Sequence, residues 1–298
     1  MFLNPKNSKM SFSVFLKGEC DMELIYNAFA SLPFVWADYK FMVNALLAVV
    51  LIAPLMGILG TMAVNNKMVF FSDALGHSAF TGIALGVLLG VKNELISLIA
   101  FGVFLALLIT RVKNKGNTSS DTVISVFSST SVAVGLLVLS YGGNFSKYSS
   151  YLVGDILSVT KNELIYLLIT LVAVTVIWCF VYNKLLVISV NKELAASRGI
   201  KTSFYENVFV IVVAVVVMLS IKWVGILLIN SLLILPAASS RNVARNSRGY
   251  LVGSVAFSLV CSVCGLLVSF YADTSAGATI VTALAVVFFI TYLISKKK

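Results

Sequence analysis

Phe70-Phe71-Ser72-Asp73-Ala74-Leu75-Gly76-His77-Ser78-Ala79-Phe80 opens a long apolar run and sets an acid and an imidazole inside it. His77 is the single histidine of the chain. Four residues apart on a helix, Asp73 and His77 lie about 40° apart around the axis and one turn up, so both side chains can reach one ion. A carboxylate at the centre of a bilayer costs about 3 kcal/mol or more, so an acid at this position marks a functional site by default.

The rest of the chain supplies the bilayer. Of its 298 residues 59% are apolar and only 11% charged, with a mean hydropathy of +1.00. A soluble domain carries roughly a quarter charged residues, so an all-α, polytopic membrane bundle is expected. The net charge of +10 does not indicate nucleic acid, because the basic residues sit in short loops between apolar runs. Four cysteines, Cys20, Cys179, Cys261 and Cys264, are too few and too scattered for a disulfide framework.

Residues 1–38 read as a tail with an interfacial segment and no signal peptide, and Met22 is a second candidate start. Residues 39–298 read as one transmembrane domain. Its apolar runs fall at 41–63, 69–90, 95–110, 122–141, 164–182, 205–220, 223–240, 250–272 and 279–295. That makes nine spans, or eight if the run interrupted by Pro236 fails to cross. With the C-terminus inside, the inner loops collect most of the arginine and lysine, while the outer loops hold only Lys92, Lys147, Lys161 and Lys222. The second run then starts at the inner side, with His77 near mid-depth, where transporters commonly hold a substrate. Asn191–Ile200 reads as a short inner surface helix stopped by Gly199.

Imidazole nitrogen plus carboxylate oxygen suits zinc or manganese better than magnesium or calcium, and two ligands make a weak, transient site. Proton transit, or a buried Asp–His bond gluing helices together, fits the same pair. Cys261 and Cys264 share one helical face and are accessory pathway candidates, although small apolar cysteines are common in membrane helices. Asp155, in Gly154-Asp155-Ile156-Leu157-Ser158, is a candidate for an outer vestibule or for a solvated loop. No P-loop, His-Glu-x-x-His or Gly-x-Ser-x-Gly motif occurs, so the chain reads as a non-enzyme that does not itself bind ATP in the P-loop manner.

Five stretches in order extend the reading. Phe71–Ala79, Gly154–Ser158, Glu193–Gly199, Val224–Ala238 and Ser275–Val281 resemble successive motifs of the permease subunits of zinc/manganese-type ABC importers. The resemblance covers about residues 40–295. It implies a type II ABC importer-like fold and a homodimer with a central pathway in the bacterial cell membrane. It also implies a cytoplasmic ATPase pair docked on a coupling helix that includes Lys192, Glu193, Arg198 and Gly199, and an extracytoplasmic metal-binding protein that delivers the ion. The metal is then the cargo, with no tightly bound cofactor, and Asp73 and His77 line its path. Ser72 and Gly76 stand where members commonly show Gly and Ser, and no second histidine is available as a further ligand. The competing expectation is an ion-coupled secondary transporter with Asp73 and His77 as its relay.

Overall fold

Inside a bilayer the backbone has no water to bond to, so an apolar run of spanning length satisfies its own polar groups as helix. All nine runs do so. The computed structural model describes residues 26–27, 29–31, 33–91, 93–115, 119–141 and 156–295. Its helices are α1 Lys40–Asn65, α2 Phe71–Leu88, α3 Glu94–Lys115, α4 Ser120–Tyr141, α5 Lys161–Val190, the short α6 Lys192–Ser197, α7 Thr202–Val224, α8 Ile226–Val243, α9 Ser247–Tyr271 and α10 Ala276–Ser295. No strand occurs among the described residues.

Among the described residues, eight of the nine long helices are long and apolar enough by themselves to cross a membrane. The helix outside that set is α2, not the proline-bearing run: α8 stays helical through Pro236. At 18 residues α2 equals α8 in length, but it carries Asp73, His77 and three glycines. It is sheltered by its neighbours, packing against α3, α4, α7 and α8.

The helices form two groups. One holds α1, α8, α9 and α10, the other α2, α3, α4 and α7, while α5 lies against α1 and α7. Small residues and hydroxyls hold each group together, as expected where lipid gives no hydrophobic drive between helices. Ser254 Oγ donates to the Gly57 carbonyl at 2.8 Å and Ser258 Oγ to that of Ala53 at 2.7 Å, joining α9 to α1. In the other group Gly135 of α4 lies so close to α2 that a Cβ there would meet the Thr81 backbone nitrogen at 2.7 Å. Thr81 donates to the Ser131 carbonyl across the same contact.

Two connections matter for function. With 30 residues, α5 is about 45 Å long against a hydrocarbon core of about 30 Å, so it projects beyond the core and hands the chain to α6. Between α7 and α8 stands Gly225 alone, at φ 82° and ψ 158°, a backbone region essentially reserved for glycine.

Tyr26, ahead of α1, is tied to the bundle. Tyr26 donates to Asn44 Oδ1 at 2.6 Å, Asn44 Nδ2 donates to the Val159 carbonyl at 3.2 Å, and the Lys40 and Lys161 ammonium groups lie 5.6 and 5.5 Å from the Tyr26 ring. Burial pushes the Tyr26 phenol above its ordinary range, with the Asn44 hydrogen bond opposing that shift.

Candidate functional site

The chain leaves α1 through Lys67, whose φ of 54° turns it sharply, and α2 begins at Phe71. Asp73 therefore sits in the first turn of α2, where the positive end of the helix dipole favours a carboxylate. His77 is one turn on. Their Oδ1 and Nε2 atoms are 3.4 Å apart. Two ligands bonded at 2.0–2.1 Å to a tetrahedral ion are separated by about 3.3 Å, so the pair is already spaced to share one cation.

A contact between α2 and α8 shapes the pair from the other side. Gly76 leaves room for Ile226, whose Cγ2 lies 2.7 Å from where a Cβ on Gly76 would stand. One turn further along α8, Asn230 Nδ2 donates to Asp73 Oδ1 at 2.7 Å. Residue 76 meets 226 and residue 73 meets 230, so the helices run antiparallel and overlap through their N-terminal turns. The sidedness expected from the basic residues starts α2 at the inner side and α8 at the outer, which would put that overlap between the two surfaces.

The pair is not sealed. Side-chain exposure is 44% for Asp73 and 38% for His77, and both line a cavity of about 610 Å³. Phe70 stands beside them, and the opposite wall is α4, with Ser125, Ser128 and Ser129 among its apolar residues. A hydrated cation can thus approach the pair along a hydroxyl-bearing wall. No group of three His, Cys, Asp or Glu side chains able to hold a metal occurs among the described residues.

The other sequence candidates lie elsewhere. Cys261 is buried in the apolar core and Cys264 is exposed, both on α9, which packs on α1, α8 and α10; neither lines the cavity. Asp155 falls outside the described residues. Lys192 and Glu193 open α6, whose N-terminus is capped by the Asn191 side chain accepting from Leu194 N–H at 2.9 Å. Arg198 closes α6, and Gly199 follows at φ 75°. The Gly199 N–H bonds the Ala196 carbonyl at 2.9 Å and the Ile200 N–H that of Ala195 at 3.1 Å, a Schellman ending. Lys192 Nζ reaches Glu206 at 2.8 Å and Asn114 Oδ1 at 3.2 Å, and Asn114 Nδ2 donates to Glu206 at 3.1 Å. This triad ties α6 to the end of α3 and the start of α7. Glu193 and Arg198 are exposed.

Sequence reasoning missed Asn230. Its one signal was an amide within an otherwise apolar run, and nothing local says that the amide reaches Asp73. The serine wall of α4 had a plainer signal in Ser125, Ser128, Ser129, Thr130 and Ser131.

Residues 38–295 match the model of the ABC 3 transport family. The chain belongs to that family. Over 251 residues it is 31% identical to the high-affinity zinc uptake system membrane protein ZnuB of Haemophilus influenzae, covering 84% of this chain and 96% of that one. It is 28% identical over 261 residues to the manganese import system permease protein ScaB of Streptococcus gordonii, covering 88% and 94%. Among solved structures it superimposes on PsaBC from Streptococcus pneumoniae, in complex with a Fab, with a TM-score of 0.75 at 27% identity, covering 86% of this chain and 92% of that one. This ABC 3 protein is a multi-pass membrane permease, not an enzyme. The family decides for ATP-driven transport over the ion-coupled alternative.

Proposed function

We propose that this ABC 3 permease imports a divalent transition metal, zinc or manganese, by alternating access. The cation is released into an outward cavity, held briefly by Asp73 and His77, and freed inward as partner ATPases reset. One observation carries the reading: an acid and an imidazole 3.4 Å apart, spaced for one ion and open to a 610 Å³ cavity with a serine wall. The relatives named for zinc uptake and manganese import support it. Net direction comes from different affinities in the outward and inward states, set by the ATPase cycle.

The functional unit is a homodimer. This is supported by the exposed Ser125, Ser129 and Thr130 on α4, hydroxyls that suit a shared aqueous pathway better than lipid. The ATPase subunits dock on α6, an element capped at both ends and held to α3 and α7 by the Lys192 triad. An extracytoplasmic metal-binding protein loads the outer mouth.

Uptake of radioactive zinc or manganese by a deletion strain carrying each variant tests the proposal. Asp73→Ala and His77→Ala should abolish accumulation while the permease still co-purifies with its ATPase. Normal accumulation in either variant overturns the assignment.

A further inference from the structure

Within one protomer an acid and one imidazole offer a transition-metal ion two ligands, and no third His, Cys, Asp or Glu stands near enough to complete a group among the described residues. The geometry points to the side-chain oxygen of Asn230 as the third ligand, with the carboxamide turning over between the empty and the loaded site. This inference rests on the proposed role of Asp73 and His77.

Three observations carry it. First, Asn230 belongs to a different helix and to a distant part of the chain, yet its Nδ2 lies 2.7 Å from Asp73 Oδ1, the same oxygen that stands 3.4 Å from His77 Nε2. Second, the Asn230 Oδ1 atom is buried and has no hydrogen-bond partner. A buried acceptor left unpaired costs about 1–3 kcal/mol, so the amide is not held in place by both of its ends. Third, the Gly76–Ile226 contact holds α8 against α2 one turn away, which keeps the amide within reach of Asp73.

Without a cation, two oxygens facing each other would repel, and the N–H group turns toward the carboxylate. With a cation between them the sign reverses: the carbonyl oxygen faces Asp73 across the ion, and the N–H takes the unpaired buried position. Ligands bonded at about 2.1 Å to one ion stand about 3.0–3.4 Å apart, so the amide needs to withdraw by only a few tenths of an ångström from its 2.7 Å contact. The resulting one-nitrogen, two-oxygen set holds zinc and manganese alike and keeps the remaining positions open for water from the cavity.

The test uses the permease with its ATPase subunit in lipid nanodiscs and measures the dissociation constants of Mn²⁺ and Zn²⁺ alone. Asn230→Ala should weaken binding of both by about tenfold or more, the scale on which a lost supporting group acts. Asn230→Asp keeps an oxygen but has no N–H, and should bind at least as tightly as wild type. If Asn230→Asp is as weak as Asn230→Ala, the amide acts only by donating to Asp73, and the inference is overturned. Unchanged binding in Asn230→Ala overturns it as well. Unchanged binding in Asp73→Ala and His77→Ala defeats the underlying site instead, which keeps the two failures separate. Pulsed EPR of Mn²⁺-loaded wild type with ¹³Cγ-labelled asparagine needs no variant: a coupling to a carbon about 3 Å from the ion is expected, and its absence refutes ligation.

Discussion

Replacing Gly76 by alanine adds one methyl group at the contact that sets the spacing of α2 and α8. The new Cβ would lie 2.7 Å from Ile226 Cγ2. Two carbons rest at about 3.5–4.0 Å, so the helices must part by about 1 Å at this level. Ile226 is only 4% exposed, and its β-branched side chain is stiff at χ1. Overpacking of this kind costs about 1–3 kcal/mol, and removing a helical glycine returns at most about 1 kcal/mol. The melting temperature of the purified complex should fall by about 2–6 °C. The functional loss should exceed what stability explains, since the same displacement stretches the 2.7 Å Asn230–Asp73 bond to about 3.7 Å, beyond hydrogen-bonding range. Ile226→Ala removes the obstructing carbon, so Gly76→Ala/Ile226→Ala should be less damaged than the two single changes predict. The assay is a double-mutant cycle on thermal unfolding and on metal uptake in proteoliposomes. Effects that add within about 0.5 kcal/mol, or a Gly76→Ala protein with wild-type melting and uptake, would refute the reasoning.

Three further outcomes follow from the same contacts. Gly199→Ala forces a side chain into left-handed backbone, with nothing within 4 Å to clash; the cost should be about 1 kcal/mol, and Gly199→Asn should restore most of the metal-stimulated ATPase rate lost in reconstituted complexes. Lys192→Met breaks the triad with Glu206 and Asn114; as an exposed pair it should change stability by less than about 1 kcal/mol but reduce coupling of ATP hydrolysis to uptake, read as the ratio of the two rates. Ser129→Cys should react with a water-soluble thiol reagent and be protected by Mn²⁺, whereas Cys261, buried in the core, should not react; mass spectrometry of labelled peptides checks both.

Much of this architecture was legible because bilayer helices announce themselves locally. Each of the nine apolar runs became a helix, and Asn191 and Gly199 bounded α6 as their chemistry required. The Asp73–His77 pair was legible for the same reason, as an i, i+4 relation depends only on helix pitch. What stayed hidden was tertiary. Asn230 is 157 residues from Asp73, and no periodicity relates them. The core position of Cys261 and the cavity-facing position of Ser129 follow from how α9 and α4 are rotated against their neighbours, which helix pitch alone does not determine. The weakest span was also misjudged. A proline advertises a break, yet α8 absorbs Pro236, whereas α2 loses apolarity to Asp73 and His77, the pair of the proposed site.

The single-residue joint at Gly225 makes α8 a lever of unequal arms. Asn230 lies five residues from the pivot and Val243 eighteen, or about 8 and 27 Å along the axis. A tilt of about 10° swings the far end by about 5 Å and moves the amide by little more than 1 Å. A push at the far end of α8 would therefore reach the Asn230 amide geared down more than threefold, a coarse stroke turned into a displacement on the scale of a coordination bond.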